Sequence, residues 1–285
     1  MLAALVIAFR EGLEASLIVG IVMGYLKKTD QTHKMKYAWL GVLAAVLLSI
    51  LLALGLQAIG AELEGRAEEI FEGITMLAAV AVLTWMIFWM RNQARTLKSS
   101  IETELEAATN DGQARGLFGV TFFAVVREGL ETALFLSAAA FATNSSETLI
   151  GALLGLVIAA VVGYVIYAST MRLNLRLFFN VTSLLLLFFA AGLLAHGIHE
   201  FQEAGVVPII QEHVWDINHI VDENSFVGSI LKAVLGYNGN PSLLEVLAYI
   251  AYWLIVPLGV QWLVERNAAK STPIVQSPKM EVSQA

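Results

Sequence analysis

The sequence predicts an all-α polytopic membrane protein with seven transmembrane helices, built as an inverted 3+3 repeat plus one helix. Three observations predict this fold. Only 14% of the 285 residues are charged and 58% are hydrophobic, whereas a soluble domain carries roughly 25% charged residues. Apolar runs of about 20 residues, long enough to cross a bilayer core as a helix, recur along the chain. A five-residue motif with three charges occurs twice within such runs.

Seven apolar runs define the predicted spans. The first lacks a basic start and stays apolar for longer than a signal peptide, so we interpret it as a mature helix. We expect one transmembrane domain over 1–266 and a disordered cytoplasmic tail over 267–285. The spans are residues 2–26, 37–60, 70–90, 116–142, 148–168, 177–198 and 243–264.

Lysine and arginine orient these spans, because cytoplasmic loops carry the excess of positive charge. Thirteen of the 17 basic residues fall on one side, only Arg66 and Lys232 fall on the other, and the last two belong to the repeated motif. We therefore expect the N-terminus outside and the C-terminus inside.

Acidic residues show the opposite bias and favour the outer side. The resulting negative electrostatic field would attract cations to the outer mouth, although ordinary solvated loops remain an alternative interpretation. The outer acids are Glu62, Glu64, Glu68, Glu69, Glu72, Glu147, Glu200, Glu203, Glu212, Asp216, Asp222, Glu223 and Glu245.

The repeated motif is REGLE, which occurs at Arg10–Glu14 and again at Arg127–Glu131, in spans one and four. The flanks also match, as AFREGLEASLIVG and VVREGLETALFLS. Residues 1–91 and 116–203 are therefore interpreted as related halves. Because spans one and four cross in opposite directions, the halves are inverted, a plan that places transporter sites near the midplane at the repeat interface. An outer segment, 204–242, and the seventh helix, 243–264, follow.

Each REGLE copy places its arginine and both glutamates on one helix face, since each residue advances about 100°. A charge at the bilayer centre costs about 2.5–3.5 kcal/mol on insertion scales, so such residues mark functional paths. Each copy keeps one surplus negative charge, which a dication shared by two copies would neutralise. We interpret the glutamates as metal ligands and the arginines as supports; a structural ion-pair network is the alternative. The ligands are Glu11, Glu14, Glu128 and Glu131, and the supports are Arg10 and Arg127.

A second set of ligand-type residues ends span six. Imidazole and carboxylate together form a ligand set that iron, zinc or manganese accept, and the spacing of three and four places the set on one helical stripe. A polar helix end at the interface is the alternative. The candidate ligands are His196, His199, Glu200 and Glu203.

Two further outer features are ambiguous. The EExxE pattern of Glu68, Glu69 and Glu72 offers metal contacts, or it stabilises a helix N-terminus, where negative charge is favourable. In the outer segment, His213, Asp216 and His219 recur at every third position and suggest a short amphipathic helix over the mouth. On the inner side, residues 92–115 are interpreted as a solvated connector.

Two REGLE motifs in a seven-span chain resemble the oxidase-dependent iron transporter family. LTWMIFWMR at 83–91, FEGI at 71–74 and FFAVVREGLE at 122–131 extend the resemblance over nearly the whole chain. It implies that the REGLE glutamates handle iron and that EExxE is an outer acidic motif. The histidine stripe of span six is inferred from spacing alone.

The resemblance implies a multi-pass permease for iron import in the plasma membrane, the inner membrane of a bacterium, rather than an enzyme. Iron, as Fe²⁺ or Fe³⁺, would be the transported substrate, with no permanently bound cofactor and no catalytic residue. Partners implied by the family are periplasmic iron-binding proteins and haem peroxidases or oxidases. Three alternatives remain open: a carrier for manganese, zinc or protons, a membrane-bound iron-binding oxidase, and a structural or receptor role.

Overall fold

The computed structural model describes residues 1–93, 97–110, 114–143, 145–168, 175–223 and 225–270. Within these ranges the chain is helical with no strand, as the composition predicts. The helices are α1 (Leu2–Lys28), α2 (Met35–Glu62), α3 (Arg66–Gln93), α4 (Leu97–Asn110), α5 (Ala114–Ala142), α6 (Ser145–Ala168), α7 (Leu175–Glu203), α8 (Phe226–Leu235) and α9 (Leu243–Lys270).

Every predicted span lies inside one continuous helix: α1, α2, α3, α5, α6, α7 and α9 in order. Four of them, α2, α3, α6 and α7, are long and apolar enough to cross a membrane, and α9 adds a shorter apolar stretch, Leu243–Gly259. The motif-bearing α1 and α5 contain 27 and 29 residues, or about 40 Å at 1.5 Å per residue. Their length suffices for a crossing, although charges interrupt their apolar character.

The two motif-bearing helices run antiparallel at the centre of the bundle. One apolar cluster joins Ile7, near the start of α1, to Phe135, near the end of α5. A second cluster joins Val22 and Leu26, near the end of α1, to Leu117, near the start of α5. The two REGLE copies therefore point in opposite directions, as an inverted repeat requires.

Helix pairing follows the same internal symmetry. The most extensive contacts are those of α1 with α6, α2 with α5, and α3 with α7. In the repeat, α1 corresponds to α5, α2 to α6 and α3 to α7. Exchanging corresponding helices therefore turns the α1–α6 pair into the α5–α2 pair and leaves the α3–α7 pair unchanged. The halves are thus interleaved, because each REGLE helix packs against the second helix of the other half.

Equivalent glycines allow these pairs to approach closely. A Cβ atom at Gly12 would lie 2.9 Å from the Cβ of Ala159 on α6, and one at Gly129 would lie 2.8 Å from the Cβ of Ser49 on α2. Real Cβ atoms do not come this close, so a larger residue would force the helices apart. Small residues serve the same purpose at many membrane helix interfaces.

Replacing Gly129 by leucine is expected to reduce the stability of the bundle. Inserting methylene groups into a packed contact costs typically about 1–3 kcal/mol, and Ser49 leaves no room here. Gly119→Leu is the matched control, because a Cβ at Gly119 on the same helix meets nothing within 4 Å. Thermal melting of the detergent-purified variants measures the difference. Equal melting of the two variants would contradict this contact.

The helix α4 packs on the bundle where α1 ends and α5 begins, so it is not merely a solvated connector. Its glutamates form a polar helical face, but Ile101 and Leu105 are buried against residues of α1 and α5. The prediction of a solvated connector over 92–115 was therefore wrong for this helix, which packs through two apolar residues spaced one turn apart.

The outer segment contains one helix, but not at the predicted place. His213 and Asp216 lie in irregular backbone and His219 lies in a turn. In this stretch Val214 N–H donates to Pro241 O at 3.0 Å and Ile217 N–H donates to Gly239 O at 2.8 Å. Backbone groups that pair with residues 239–241 cannot also form helical hydrogen bonds, so the predicted helix is absent. The observed helix, α8, begins later.

The helix α8 is capped at both ends and rests on α7. Ser225 Oγ accepts from Gly228 N–H at 3.0 Å, and Gly236 ends the helix with φ +68°. A Cβ at Gly192 of α7 would lie 2.5 Å from the Cα of Gly236. Two glycines therefore permit a close backbone contact between the outer segment and the bundle.

The C-terminal boundary differs slightly from the prediction. Helix α9 continues to Lys270, past the expected boundary at residue 266, so residues 267–270 are helical rather than disordered. The rest of the predicted tail, residues 271–285, lies outside the described residues.

Candidate metal site between the repeated motifs

The first REGLE copy buries its arginine completely. Arg10 Nη1 donates to Glu11, and Arg10 Nη2 lies 2.9 Å from Glu14 Oε1. Nη1 also approaches Met86 Sδ on α3 at 3.1 Å. The Arg10 side chain is 0% exposed, so its charge is balanced by its own motif, as the spacing predicts.

The second copy has the same letters but a more open setting. Arg127 Nε donates to Glu131 Oε1 at 3.0 Å, and the Arg127 side chain is 39% exposed. Each arginine therefore pairs with the glutamate four positions along its helix. The internal symmetry of the bundle does not extend to the burial of the two guanidinium groups.

Three glutamates from the two motifs converge where α1 and α5 cross. Carboxylate oxygens of Glu11, Glu128 and Glu131 all lie within 4.8 Å of one another. Across the described ranges, this is the one group of three or more ligand-type side chains that is so compact. Glu14, the fourth predicted ligand, lies beside it and is held by Arg10.

The cluster has unused acceptor capacity. Oε2 of Glu11, of Glu128 and of Glu131 is buried and has no hydrogen-bond partner among the described residues. Buried polar atoms are nearly always paired, and an unpaired one is unfavourable. Carboxylate groups that converge and each keep an unpaired oxygen form an arrangement that a cation would complete.

Space for an ion adjoins the cluster. Glu11 and Glu128 line a cavity of about 260 Å³ between α1, α2, α5 and α6. The hydroxyl-bearing residues Ser49 and Thr132 add polarity to walls that are otherwise mainly apolar. Since about 10–15 Å³ of such space holds one water, this cavity can hold an ion with part of its hydration shell.

The outer stripe of α7 forms pairs rather than one compact cluster. His196 Nε2 lies 3.7 Å from Glu200 Oε1, and His199 Nε2 lies 3.3 Å from Glu203 Oε1. The two imidazole rings stack with centroids 5.8 Å apart. All four residues share one end of α7, as their spacing predicts.

The EExxE residues lie close to this stripe. Glu68 and Glu69 occupy the first turn of α3, and the close contact of Gly73 with Gly197 and Phe201 brings this turn to the end of α7. Glu72 interacts electrostatically with Glu200, which is buried. The structure thus gathers both predicted outer sets at one end of the bundle.

Two residues near these sites were not predicted to contact them. Met86 contacts Arg10, and no pattern in the apolar run of α3 indicates that contact. Glu245 is 2% exposed, and its Oε1 lies 3.1 Å from His199 Nδ1. A signal for Glu245 did exist, since Ser242 and Glu245 have the spacing of a capping box.

Several helices are apolar and of membrane length, and two antiparallel helices bury opposed carboxylates where they cross. These features are typical of a helical membrane transport protein. Comparison with known proteins specifies the kind: the chain belongs to the Iron permease FTR1 family, whose profile matches residues 1–269. The family consists of transporters rather than enzymes, in agreement with the resemblance seen in the sequence.

Similar proteins cover nearly the whole chain. The ferrous iron permease EfeU of Yersinia pestis is 39% identical over 273 residues, 95% of this chain and 96% of its own length. That of Yersinia pseudotuberculosis serotype I is 40% identical over 267 residues, 93% of each chain. That of Escherichia coli O157:H7 is 39% identical over 254 residues, 88% of this chain and 92% of its own length. No solved structure matches the chain significantly.

Proposed function

We propose that this protein imports iron across the plasma membrane, the inner membrane of a bacterium, through the carboxylates of its two REGLE motifs. The observation that carries the proposal is the convergence of Glu11, Glu128 and Glu131 within 4.8 Å of one another. The names of the relatives, ferrous iron permeases, support iron as the cation. Seven helices cross the membrane in this proposal, with the N-terminus outside.

Charge balance explains how the site takes a cation. Four glutamates and two arginines leave a net charge of about −2 when the site is empty, which a divalent ion neutralises. Carboxylate oxygens suit hard and borderline cations, and the choice among metals rests on geometry and availability as well as affinity. Iron is then a transient substrate, and no permanent cofactor is involved.

The route begins at the acidic outer end. Cations collect there, contact the EExxE glutamates and the His196–Glu203 stripe, and move to the REGLE carboxylates. An inside-negative potential favours inward movement by about 2.3 kcal/mol per charge per 100 mV. Periplasmic iron-binding proteins and haem peroxidases or oxidases are the proposed suppliers, on the strength of the family resemblance.

Uptake of radioactive iron into proteoliposomes tests the substrate. Fe²⁺ under ascorbate and chelated Fe³⁺ are supplied separately, with excess manganese or zinc as competitors and an inside-negative potential imposed. Iron uptake that excess manganese or zinc does not reduce identifies an iron permease. Equal transport of manganese or zinc would favour the broader divalent carrier, whereas iron retained by the purified protein together with oxygen consumption would favour an oxidase.

The proposed orientation predicts which positions can be labelled from each side. The chain contains no cysteine, so a single introduced cysteine reports its own location. Glu212→Cys in the outer segment should react with a membrane-impermeant maleimide in intact spheroplasts, and Lys28→Cys at the end of α1 only after lysis; both native residues are exposed. The reverse labelling pattern would overturn the orientation.

A further inference from the structure

A polar network ties the outer end of α7 to the start of α9. His199 Nδ1 lies 3.1 Å from Glu245 Oε1, and Ser242 Oγ donates to Gln202 Oε1 at 2.8 Å. Glu245 is 2% exposed. Since α9 has no counterpart in the repeated halves, it supplies a side chain that the repeat by itself lacks.

The partners of Glu245 determine which nitrogen of His199 carries the proton. Asn238 Nδ2–H donates to Glu245 Oε2 at 2.7 Å, and Ser242 N–H donates to Oε1 at 3.3 Å. A carboxyl group that accepts from several donors is the ionised form, which can only accept hydrogen bonds. His199 must therefore donate Nδ1–H to Glu245, which in the neutral imidazole leaves a lone pair on Nε2.

His199 Nε2 faces a carboxylate oxygen. It lies 3.3 Å from Glu203 Oε1, close enough for one cation to bind both atoms from the side. Metal-bound histidines commonly donate their second N–H to a carboxylate, which fixes the ring and increases its basicity as a ligand. The Glu245–His199 pair reproduces this arrangement.

Open space lies beside the ring. His196, His199 and Glu245 line a cavity of about 180 Å³ that extends to residues of the outer segment. The His196 ring stacks on His199 with centroids 5.8 Å apart and forms another wall of the same space. Imidazole combined with carboxylate suits borderline divalent metals.

We propose that Glu245 is a positioning residue for a second metal site at the outer mouth, where His199 Nε2 and Glu203 bind a divalent ion. The proposal rests on the proposed function, since it gives the entering ion a binding station before the REGLE cluster. It also assigns a role to α9, which aligns a ligand of α7 instead of lining the central site.

Glu245 has a competing structural role that must be separated from this one. Ser242 Oγ accepts from Glu245 N–H at 3.4 Å, so the two residues form a capping box at the start of α9. Glu245→Gln preserves that box and an acceptor for His199 but removes the negative charge. Ser242→Ala weakens the box and leaves the His199–Glu245 pair intact.

The test measures Co²⁺ binding, by equilibrium dialysis and by the visible absorption of the bound ion, to the full chain carrying Glu11→Gln/Glu128→Gln. That background weakens the central site, so the outer station is observed independently of transport. We expect Glu245→Gln to lower Co²⁺ affinity about 10–100-fold, His199→Ala to remove the nitrogen-ligand spectrum, and Ser242→Ala to lower only the melting temperature.

Three results would overturn the inference. Absence of Co²⁺ binding in the background protein would show that no outer site exists. Unchanged affinity in Glu245→Gln would show that its charge does not support the site. Equal loss of affinity in Glu245→Gln and Ser242→Ala would reduce Glu245 to a helix cap. None of these results depends on whether iron crosses at REGLE.

Discussion

Replacing Glu11 and Glu128 together by glutamine is expected to lower the initial rate of iron uptake at least about 100-fold. Both residues contribute oxygens to the convergent cluster and line the cavity beside it. A contact with a charged group contributes about 1.5–3 kcal/mol, so loss of two weakens binding by two orders of magnitude or more. Proteoliposome uptake of radioactive Fe²⁺, normalised to reconstituted protein, provides the measurement.

The matched control removes two carboxylates elsewhere. Glu104→Gln/Glu106→Gln makes the same chemical change on α4, where both side chains are exposed, and should transport iron at nearly the wild-type rate. Melting curves establish that each variant is folded. If folded Glu11→Gln/Glu128→Gln takes up iron at the wild-type rate, the REGLE motifs form a structural ion-pair network rather than a transport site.

Replacing the two motif arginines by glutamine is expected to have unequal effects on stability. Arg10 is 0% exposed and contacts Glu11 and Glu14, so Arg10→Gln leaves buried carboxylates without their cation. Breaking a buried pair costs about 3–5 kcal/mol. Arg127 is 39% exposed, and exposed pairs contribute about 0–1 kcal/mol. Thermal melting in detergent should show a large loss for Arg10→Gln and a small one for Arg127→Gln.

A compensating variant checks the cause. Adding Glu14→Gln to Arg10→Gln removes one of the unbalanced charges and should recover part of the lost melting temperature. Equal destabilisation by Arg10→Gln and Arg127→Gln would mean that both motifs are equally buried, in conflict with the structure. Absence of recovery would indicate that Arg10 acts through packing, for example against Met86.

The helical architecture was largely accessible from the sequence. Apolar runs long enough to span a bilayer allow few structures other than helices, and all seven runs became helices. Repetition of a rare charged motif indicated two halves, and the opposite crossing directions of spans one and four indicated that they are inverted. The antiparallel crossing of α1 and α5 agrees with that prediction.

The unequal surroundings of the two arginines could not be predicted from identical pentapeptides. Burial depends on what packs against each copy. Among the described residues, the sulfur of Met86 on α3 packs against Arg10. The same limit applies to α4, where the spacing of Ile101 and Leu105 indicates an apolar face but not what that face covers.

The outer segment was the least predictable region. Its histidines and aspartate recur at every third position, which is typical of a helix, yet backbone pairing with residues 239–241 holds this stretch in a non-helical conformation. Glu245 was predicted only as one member of the acidic outer face, and its burial was not predicted. In both cases, contacts between distant parts of the chain outweighed the local pattern.

Locating bound iron directly is the measurement that most sharply tests the role of REGLE. The intact protein, carrying His199→Ala to weaken the outer station, is crystallised anaerobically with Fe²⁺, and anomalous scattering is recorded at the iron edge. The expected result is a peak between α1 and α5 within ligand distance of Glu11, Glu128 and Glu131. Iron bound only elsewhere, with this cluster empty, would contradict transport through the REGLE carboxylates.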